Sequence, residues 1–510
     1  MIVPILLFLP FILAQNNEKE FQSFLHNFFR MSSNYQLTPQ ASSNFASPLQ
    51  YRYVDRTEYA VNRRILSKVF ESDLVLTKPQ QEDVFDAFQA RITGKPRRIK
   101  RNAAIDGDKY RWPNATVPFE MKDNTTEWRQ LVRRGMKKWE AETCIRFRRH
   151  TNEKDYAIFF KGGGCYSNVG RTGGRQYVSI GYGCESNGIV AHEIGHALGF
   201  WHEQSRPDRD QFININEEKI IKGVKGNFEK RDDLQSTDIP YDLGSVMHYG
   251  PQAFTNDWKY VTIETKDHRF QHTIGQRGDL SFTDVKHANR LYCSHICQVK
   301  LYCENGGYEN PLDCSKCKCP PGLGGVRCER TSESTYGCGG EYLASTNWQT
   351  ISSTQVGNCH YRIVAPSGKI HFEVIETKYK CDSSCAENYL EIKNSAKMEQ
   401  TGFRQCCNPV PGRMVSEGSQ VLLNSISTMA PANFTVRFIH DSAAHIAPPP
   451  ATWQGHGGLT GLLGANEVGI DNTFEQVVLK DLPRALQRNR GAPIGSFFSL
   501  LDTFLSKNQG

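Results

Sequence analysis

Residues 191–204 read "AHEIGHALGFWHEQ". His192 and His196 stand four apart, so on an α-helix they leave one face, one turn above the other. Glu193 follows the first histidine, beside that face and within reach of a water held there. The helix must end before His202 can fold back to the same point, and Gly199 is the residue type that makes such an exit. A pair of histidines at i,i+4 alone would be compatible with a buried helix of incidental composition. Three histidines, a glutamate and a glycine at the spacing H-E-x-x-H-x-x-G-x-x-H are not. Three imidazoles with one coordination position open describe a catalytic zinc site rather than a closed structural one.

Working outward, the chain of 510 residues is too long for one ordinary domain. Its net charge of +7 is spread along the sequence with no long basic block, which gives no support to a nucleic-acid partner. The first residues, "MIVPILLFLPFILAQNNEKE", are an apolar run followed by a polar stretch. The reading is a secretory signal over 1–14, cut after Ala14, although it lacks a basic start. No other segment is long and apolar enough to span a bilayer. Sixteen cysteines agree with an oxidising, extracellular destination; none precedes Cys144 and none follows Cys407. Sequons at Asn114, Asn124 and Asn433 are compatible with glycosylation there.

The cysteine-free stretch 15–101 ends in "KPRRIKR", where Arg98, Lys100 and Arg101 form the R-x-K-R pattern cut by furin-like convertases. A solvated basic linker is the alternative, but the position directly before the zinc-motif region favours processing between Arg101 and Asn102, with 15–101 a propeptide. Residues 102–292 read as α+β. "NTTEWRQLVRRGMKKWEAETC" predicts a helix capped by Asn124 with one apolar face, Trp128, Leu131, Val132, Met136 and Trp139. "IRFRRH", "YAIFFKG" and "QYVSIGYG" read as strands, and the zinc helix is expected at about 188–200. "GGGCYSNVGRTGGR" lacks G-K-[ST] and is a loop, not a phosphate cradle. Residues 293–329 are cysteine-dense and too poor in apolar residues to fold without staples. Short alternating runs over 338–440 predict a β-sandwich. Residues 441–510 read as a Pro/Gly-rich linker and a tail of unknown role.

"SVMHYG" at 245–250 adds a methionine able to floor the histidines and a tyrosine able to reach a metal. Together with "HEIGHALGFWHEQSRPDRD", these motifs resemble the astacin family of zinc metalloendopeptidases, among the metzincins, over roughly 102–293. The resemblance implies one zinc ion per catalytic domain, held by His192, His196 and His202, with Tyr249 as an additional ligand that also serves the oxyanion. It implies Met247 as the turn methionine and Glu193 as general base towards a zinc-activated water. "FESDLVLT" at 70–77 is similar to the family's inhibitory F-x-G-D, making Asp73 a metal ligand in the latent form; Ser72 stands where the family carries glycine. Glu203 would meet the new amino terminus after cleavage. The family pairing would be Cys144–Cys293 and Cys165–Cys184.

The run from Cys297 resembles an EGF-like module, implying Cys297–Cys314, Cys303–Cys317 and Cys319–Cys328. From Cys338 the chain resembles a CUB domain, implying Cys338–Cys359 and leaving the pairing among Cys381, Cys385, Cys406 and Cys407 open. Asn388 stands where calcium-binding CUB domains carry aspartate, so calcium is not expected. The expected fold is multidomain, of the nematode-type arrangement: an α+β metzincin-type catalytic domain, a small disulfide-rich EGF-like module and an all-β CUB sandwich. The implied function is a secreted endopeptidase made as a zymogen, cutting internal bonds of extracellular proteins. Its partners would be a furin-like activator and, through the EGF-like and CUB modules, matrix or cell-surface proteins. The alternative is a catalytically silent adhesion protein. A substrate would add as an extra strand beside "QYVSIGYG".

Overall fold

The structure, a computed structural model, describes residues 9–33, 35, 54–94, 104–231, 238–407 and 409–448. The proposed cleavage point at Arg101 and Asn102 lies outside them, as do residues 1–8 and the tail from 449. Three bodies follow one another: an α+β body, a disulfide-rich segment and an all-β sandwich.

The α+β body is built on a five-stranded sheet of β1 (Thr116–Met121), β2 (Arg146–Arg149), β3 (Tyr156–Phe160), β4 (Cys165–Tyr166) and β5 (Arg175–Ile180), in the order β2-β1-β3-β5-β4. All neighbours are parallel except the β4–β5 pair at one edge. Six α-helices occur among the described residues. Before the sheet come α1 (Leu9–Ser32), α2 (Glu58–Asn62) and α3 (Lys78–Ile92). The others are α4 (Thr126–Glu142), α5 (Asn187–Leu198) and α6 (Phe282–Tyr292). None is long and apolar enough to cross a membrane.

Helix α4 buries Trp128, Leu131, Val132, Met136 and Trp139, the stripe its 3.6-residue period predicts. Its start differs from the sequence expectation. Thr125, not Asn124, is the N-cap, and the turn before it is held by the Thr125 amide donating to Asp123 Oδ1 at 2.8 Å. Asn124 is exposed and accepts from Arg129 instead. The indole N–H groups of Trp139 and Trp112 donate to the Ala191 and Ala197 carbonyls of α5, and that of Trp128 to the Ile180 carbonyl at the end of β5, so these three tryptophans tie helix and sheet together. Disulfides Cys144–Cys293 and Cys165–Cys184 staple this body.

The described residues before 95 pack onto it. Phe21, Leu25 and Phe28 of α1, Phe70, Leu74 and Leu76, and Val84 and Phe88 of α3 share one apolar cluster with Val169 and Trp201. The rings of Phe28 and Phe70 meet edge-on at 5.5 Å. At the edge of the sheet, Ser167 N–H donates to the Asp73 carbonyl and Val75 N–H to the Ser167 carbonyl, both at 2.9 Å, so residues 73–75 run parallel to this edge.

In the disulfide-rich segment two short hairpins are crosslinked by Cys297–Cys314, Cys303–Cys317 and Cys319–Cys328. The sandwich pairs a five-stranded sheet, containing 357–364 and 420–427 at its centre, with a four-stranded sheet of 349–353, 433–440, 370–378 and 413–415. Alternate residues such as Ile363, Phe372, Val374, Leu423, Val436 and Phe438 fill its core. Its bridges are Cys338–Cys359, Cys381–Cys407 and Cys385–Cys406, which resolves the pairing that spacing left open. Asn388 Oδ1 accepts from Thr428 N–H at 2.9 Å and Ser427 Oγ at 3.1 Å, so that oxygen is engaged within the sandwich.

The sandwich docks on the α+β body through residues 398–404. Thr401 donates from its amide and hydroxyl to the buried Asp242 carboxylate, at 3.2 and 3.1 Å, and Gln400 Nε2 donates to the Tyr241 carbonyl at 2.8 Å. Of the sequons, Asn114 and Asn124 are exposed and Asn433 is half-buried at the start of a strand.

Candidate metal centre

Helix α5 opens with Ser186 accepting from Gly188 N–H and closes at Gly199, which adopts φ 110°, ψ 11°. In that left-handed conformation a side chain is strained, and the glycine lets the chain turn so that His202 returns towards the helix. Gly195 lies over Met247; a Cβ there would come within 2.7 Å of the methionine sulfur. His192, His196 and His202 are all fully buried, and their ligating atoms together with an Asp73 oxygen lie within 4.8 Å of one another.

The hydrogen bonds fix the tautomers. His192 Nδ1 is 2.8 Å from the Val246 carbonyl, His196 Nδ1 2.8 Å from the Phe200 carbonyl, and His202 Nδ1 2.8 Å from Glu71 Oε2. Carbonyl and carboxylate oxygens only accept, so each Nδ1 carries its proton. Each Nε2 of a neutral ring then presents a lone pair. The His192 and His196 Nε2 atoms stand 3.0 Å apart, and Asp73 Oδ2 lies 3.3 Å from His192 Nε2 and 3.2 Å from His202 Nε2. Acceptors facing acceptors in a buried space call for a cation. Three imidazole nitrogens and one carboxylate oxygen are the donor set of a four-coordinate zinc site. Burial pushes His192 down to about 4 and keeps that ring neutral, whereas Asp73 and Glu71 overcome burial at His202 and raise it to about 9, so the carboxylates beside His202 draw positive charge there, whether a proton or a metal ion.

Glu193 is fully buried, and neither carboxylate oxygen has a hydrogen-bond partner among the described residues. Burial, then the charges of Asp73 and Glu58, hold its pKa well above the ordinary carboxylate range. The Tyr249 ring lies 4.5 Å from that of His202, and its hydroxyl is also without a partner among the described residues. Burial raises that phenol well above its usual value, so it stays protonated. Glu203 does not point at the metal cluster. Its carboxylate accepts from Asp242 N–H at 2.9 Å and pairs with Arg206 at 3.2 Å, while burial pushes it up to about 8 despite that arginine. Ala104 bridges to Phe200, and the Ile105 amide donates to the Gly199 carbonyl at 2.8 Å.

The segment before residue 95 closes the site with contacts that sequence reading missed. Glu58, at the start of α2, makes a two-pronged ion pair with Arg277 at 2.7 and 2.6 Å, both side chains buried, and its Oε1 is 3.7 Å from His192 Nε2. Glu71 holds His202 as above. Both Glu71 (φ 43°) and Ser72 (φ 69°) take left-handed backbone conformations, so Ser72 occupies a geometry that glycine adopts more easily. The strand expected to receive substrate needs correction. β3 pairs along one side of residues 175–180 and β4 pairs with Ser179 and Ile180 on the other, so the edge of the sheet at this end is Cys165–Ser167, and residues 73–75 occupy it.

The family model for the astacin peptidases matches residues 104–293. The zinc metalloproteinase nas-30 of Caenorhabditis elegans is 43% identical over 467 residues, covering 89% of this chain and 62% of that protein. The zinc metalloproteinase nas-36 of Brugia malayi is 38% identical over 399 residues, covering 75% of this chain and 68% of that protein. The chain therefore spans about three-fifths of the length of nas-30. Among solved structures, high choriolytic enzyme 1, a hatching enzyme zinc-protease from Oryzias latipes, is 36% identical, covering 38% of this chain and 98% of its own, with a TM-score of 0.35. With the family model on the α+β body and a three-histidine metal cluster inside it, the chain belongs to the astacin family of zinc metalloproteinases.

Proposed function

We propose that this chain is the zymogen of a secreted zinc endopeptidase that hydrolyses internal peptide bonds of extracellular proteins. The observation that carries the reading is the convergence of three Nε2 lone pairs beside the unpaired carboxylate of Glu193. One zinc held by His192, His196 and His202 would supply Lewis acidity, bringing a water molecule's pKa to about 7 and polarising a peptide carbonyl. Asp73 and Glu58, whose charges help raise the Glu193 pKa in the latent chain, leave with the propeptide, and the Glu193 carboxylate then takes a proton from the attacking water as the new C–O bond forms. It returns that proton to the amide nitrogen as the C–N bond breaks. Tyr249, kept protonated by burial, donates a hydrogen bond to the oxyanion of the tetrahedral intermediate. Met247 supports α5 from below at Gly195.

Residues 15–101 act as a latency segment. Asp73 takes the place a water needs, Glu71 engages His202, and Glu58 fills the pocket that ends in Arg277. The segment lies parallel to the Ser167 edge, whereas antiparallel pairing is the more stable arrangement for an added strand. Cleavage by a furin-like protease between Arg101 and Asn102 starts activation, and Glu203 then receives the new amino terminus. A buried arginine in the cleft favours substrates with an acidic side chain next to the cut bond. Eight disulfides with no free cysteine among the described residues support an oxidising, extracellular setting. In this reading the domains are 1–14 signal, 15–101 propeptide, 102–292 peptidase, 293–329 EGF-like module and 338–440 CUB sandwich.

The test compares the convertase-processed protein with its Glu193→Gln form, measuring zinc content and internal cleavage of a peptide library by mass spectrometry. Both should hold zinc, and only the unsubstituted protein should cut. A processed protein that holds zinc and cuts nothing would refute the enzyme reading and leave the adhesive one.

A further inference from the structure

The latent segment enters the cleft over the sandwich. Val54 N–H donates to Ser383 Oγ at 2.7 Å, and the chain then passes Thr57, whose amide donates to Asp55 Oδ1 at 2.8 Å, and places Glu58 against Arg277. Ser383 belongs to the loop Cys381–Ala386, which two disulfides, Cys381–Cys407 and Cys385–Cys406, fix to the neighbouring strand end. The same loop is seated on the rim of the cleft. The Ser383 carbonyl is 3.2 Å from His272 Nδ1, and a Cβ on Gly278, next to Arg277, would come within 2.5 Å of the Ala386 carbonyl. Arg404 N–H donates to Thr273 Oγ1 at 3.1 Å, so the approach is pinned on a second side.

We propose that the loop Cys381–Ala386 of the sandwich is part of the substrate groove, with Ser383 accepting a backbone N–H from an extended substrate chain. The inference rests on the endopeptidase reading above and adds where the groove ends. A substrate laid antiparallel to Ser167 puts its C-terminal side in the arm that Arg277 and Ser383 line. If the residue after the cut bond meets Arg277 as Glu58 does, the residue at the place of Val54 is the fifth. Four residues of extended chain span at most about 14 Å. The contact is to backbone, so it selects for length and extension of the polypeptide rather than for a side chain, and it leaves short peptides unaided. Ser383 is a binding residue and touches none of the reacting atoms.

The experiment uses the convertase-processed full chain and two peptides with the same cleavage site, one ending two residues after the cut and one continuing for six. In the unsubstituted protein the longer peptide should gain about fivefold in kcat/KM, the effect of one good hydrogen bond, through KM rather than kcat. Ser383→Ala should lose that gain while cutting the short peptide unchanged. If Ser383→Ala also cuts the short peptide poorly, its fold is disturbed, and N-methylation of the long peptide decides in the unsubstituted protein. Methylation at one position among the third to sixth residues after the cut should abolish the gain. Equal kcat/KM for both lengths, or a gain that survives every N-methylation, overturns the proposal. Cleavage of neither peptide overturns the endopeptidase reading and this proposal with it.

Discussion

Glu58→Gln in an uncleavable zymogen carrying Arg101→Ala isolates one ion pair of the latent state. Glu58 and Arg277 are both buried and joined by two charge-assisted bonds, with Glu58 held below the usual carboxylate range by Arg277 against the opposing effect of burial. Glutamine keeps the shape and one acceptor but leaves the guanidinium without a countercharge. Breaking a buried pair from one side costs about 3 kcal/mol. That cost falls on the closed zymogen alone, because on opening Arg277 regains water. With tenfold per 1.4 kcal/mol, the open fraction should rise roughly a hundredfold. The readout is residual cleavage of a fluorogenic peptide by the purified zymogen, with and without the substitution. A parallel Glu58→Gln protein with Arg101 intact provides the control: once processed and freed of its propeptide, it is chemically identical to the unsubstituted enzyme and must have the same specific activity. Residual activity within about threefold of the parent would refute the reasoning that this pair helps hold the cleft shut.

Other outcomes follow from the same geometry. Ser72→Gly should relieve part of a left-handed conformation that costs a side-chain-bearing residue about 1 kcal/mol, offset in part by losing the 3.3 Å contact of Ser72 Oγ with Asp73; residual zymogen activity should fall about threefold. Gly195→Ala drives a methyl to 2.7 Å from the Met247 sulfur and should destabilise the α+β body by about 2 kcal/mol, seen as a lower midpoint in urea unfolding. Stripping metal from the processed protein with a chelator should abolish cleavage and lower Tm, and stoichiometric zinc should restore both; recovery without added metal would contradict the three-histidine assignment.

The sequence by itself determined the features whose geometry is local. The spacing of His192 and His196 on one helix fixes where their rings stand whatever surrounds them, and Gly199 marks the turn that brings His202 back. The apolar stripe of α4 and the alternation in the sandwich strands follow from single-element periodicity for the same reason. What only the tertiary structure decided lies between residues with no fixed spacing. Glu58 and Arg277 are 219 positions apart, and nothing in either local sequence announces the partner. The accessible edge at Cys165–Ser167 depends on which strands flank β5, a matter of sheet order rather than strand pattern. The pairing of Cys381 with Cys407 and Cys385 with Cys406, and the seating of Ser383 at the cleft, depend on where the folded chain brings backbone together. A local spacing fixes side chains through bonds and dihedrals; a distant pair is fixed only by the packing of everything between them.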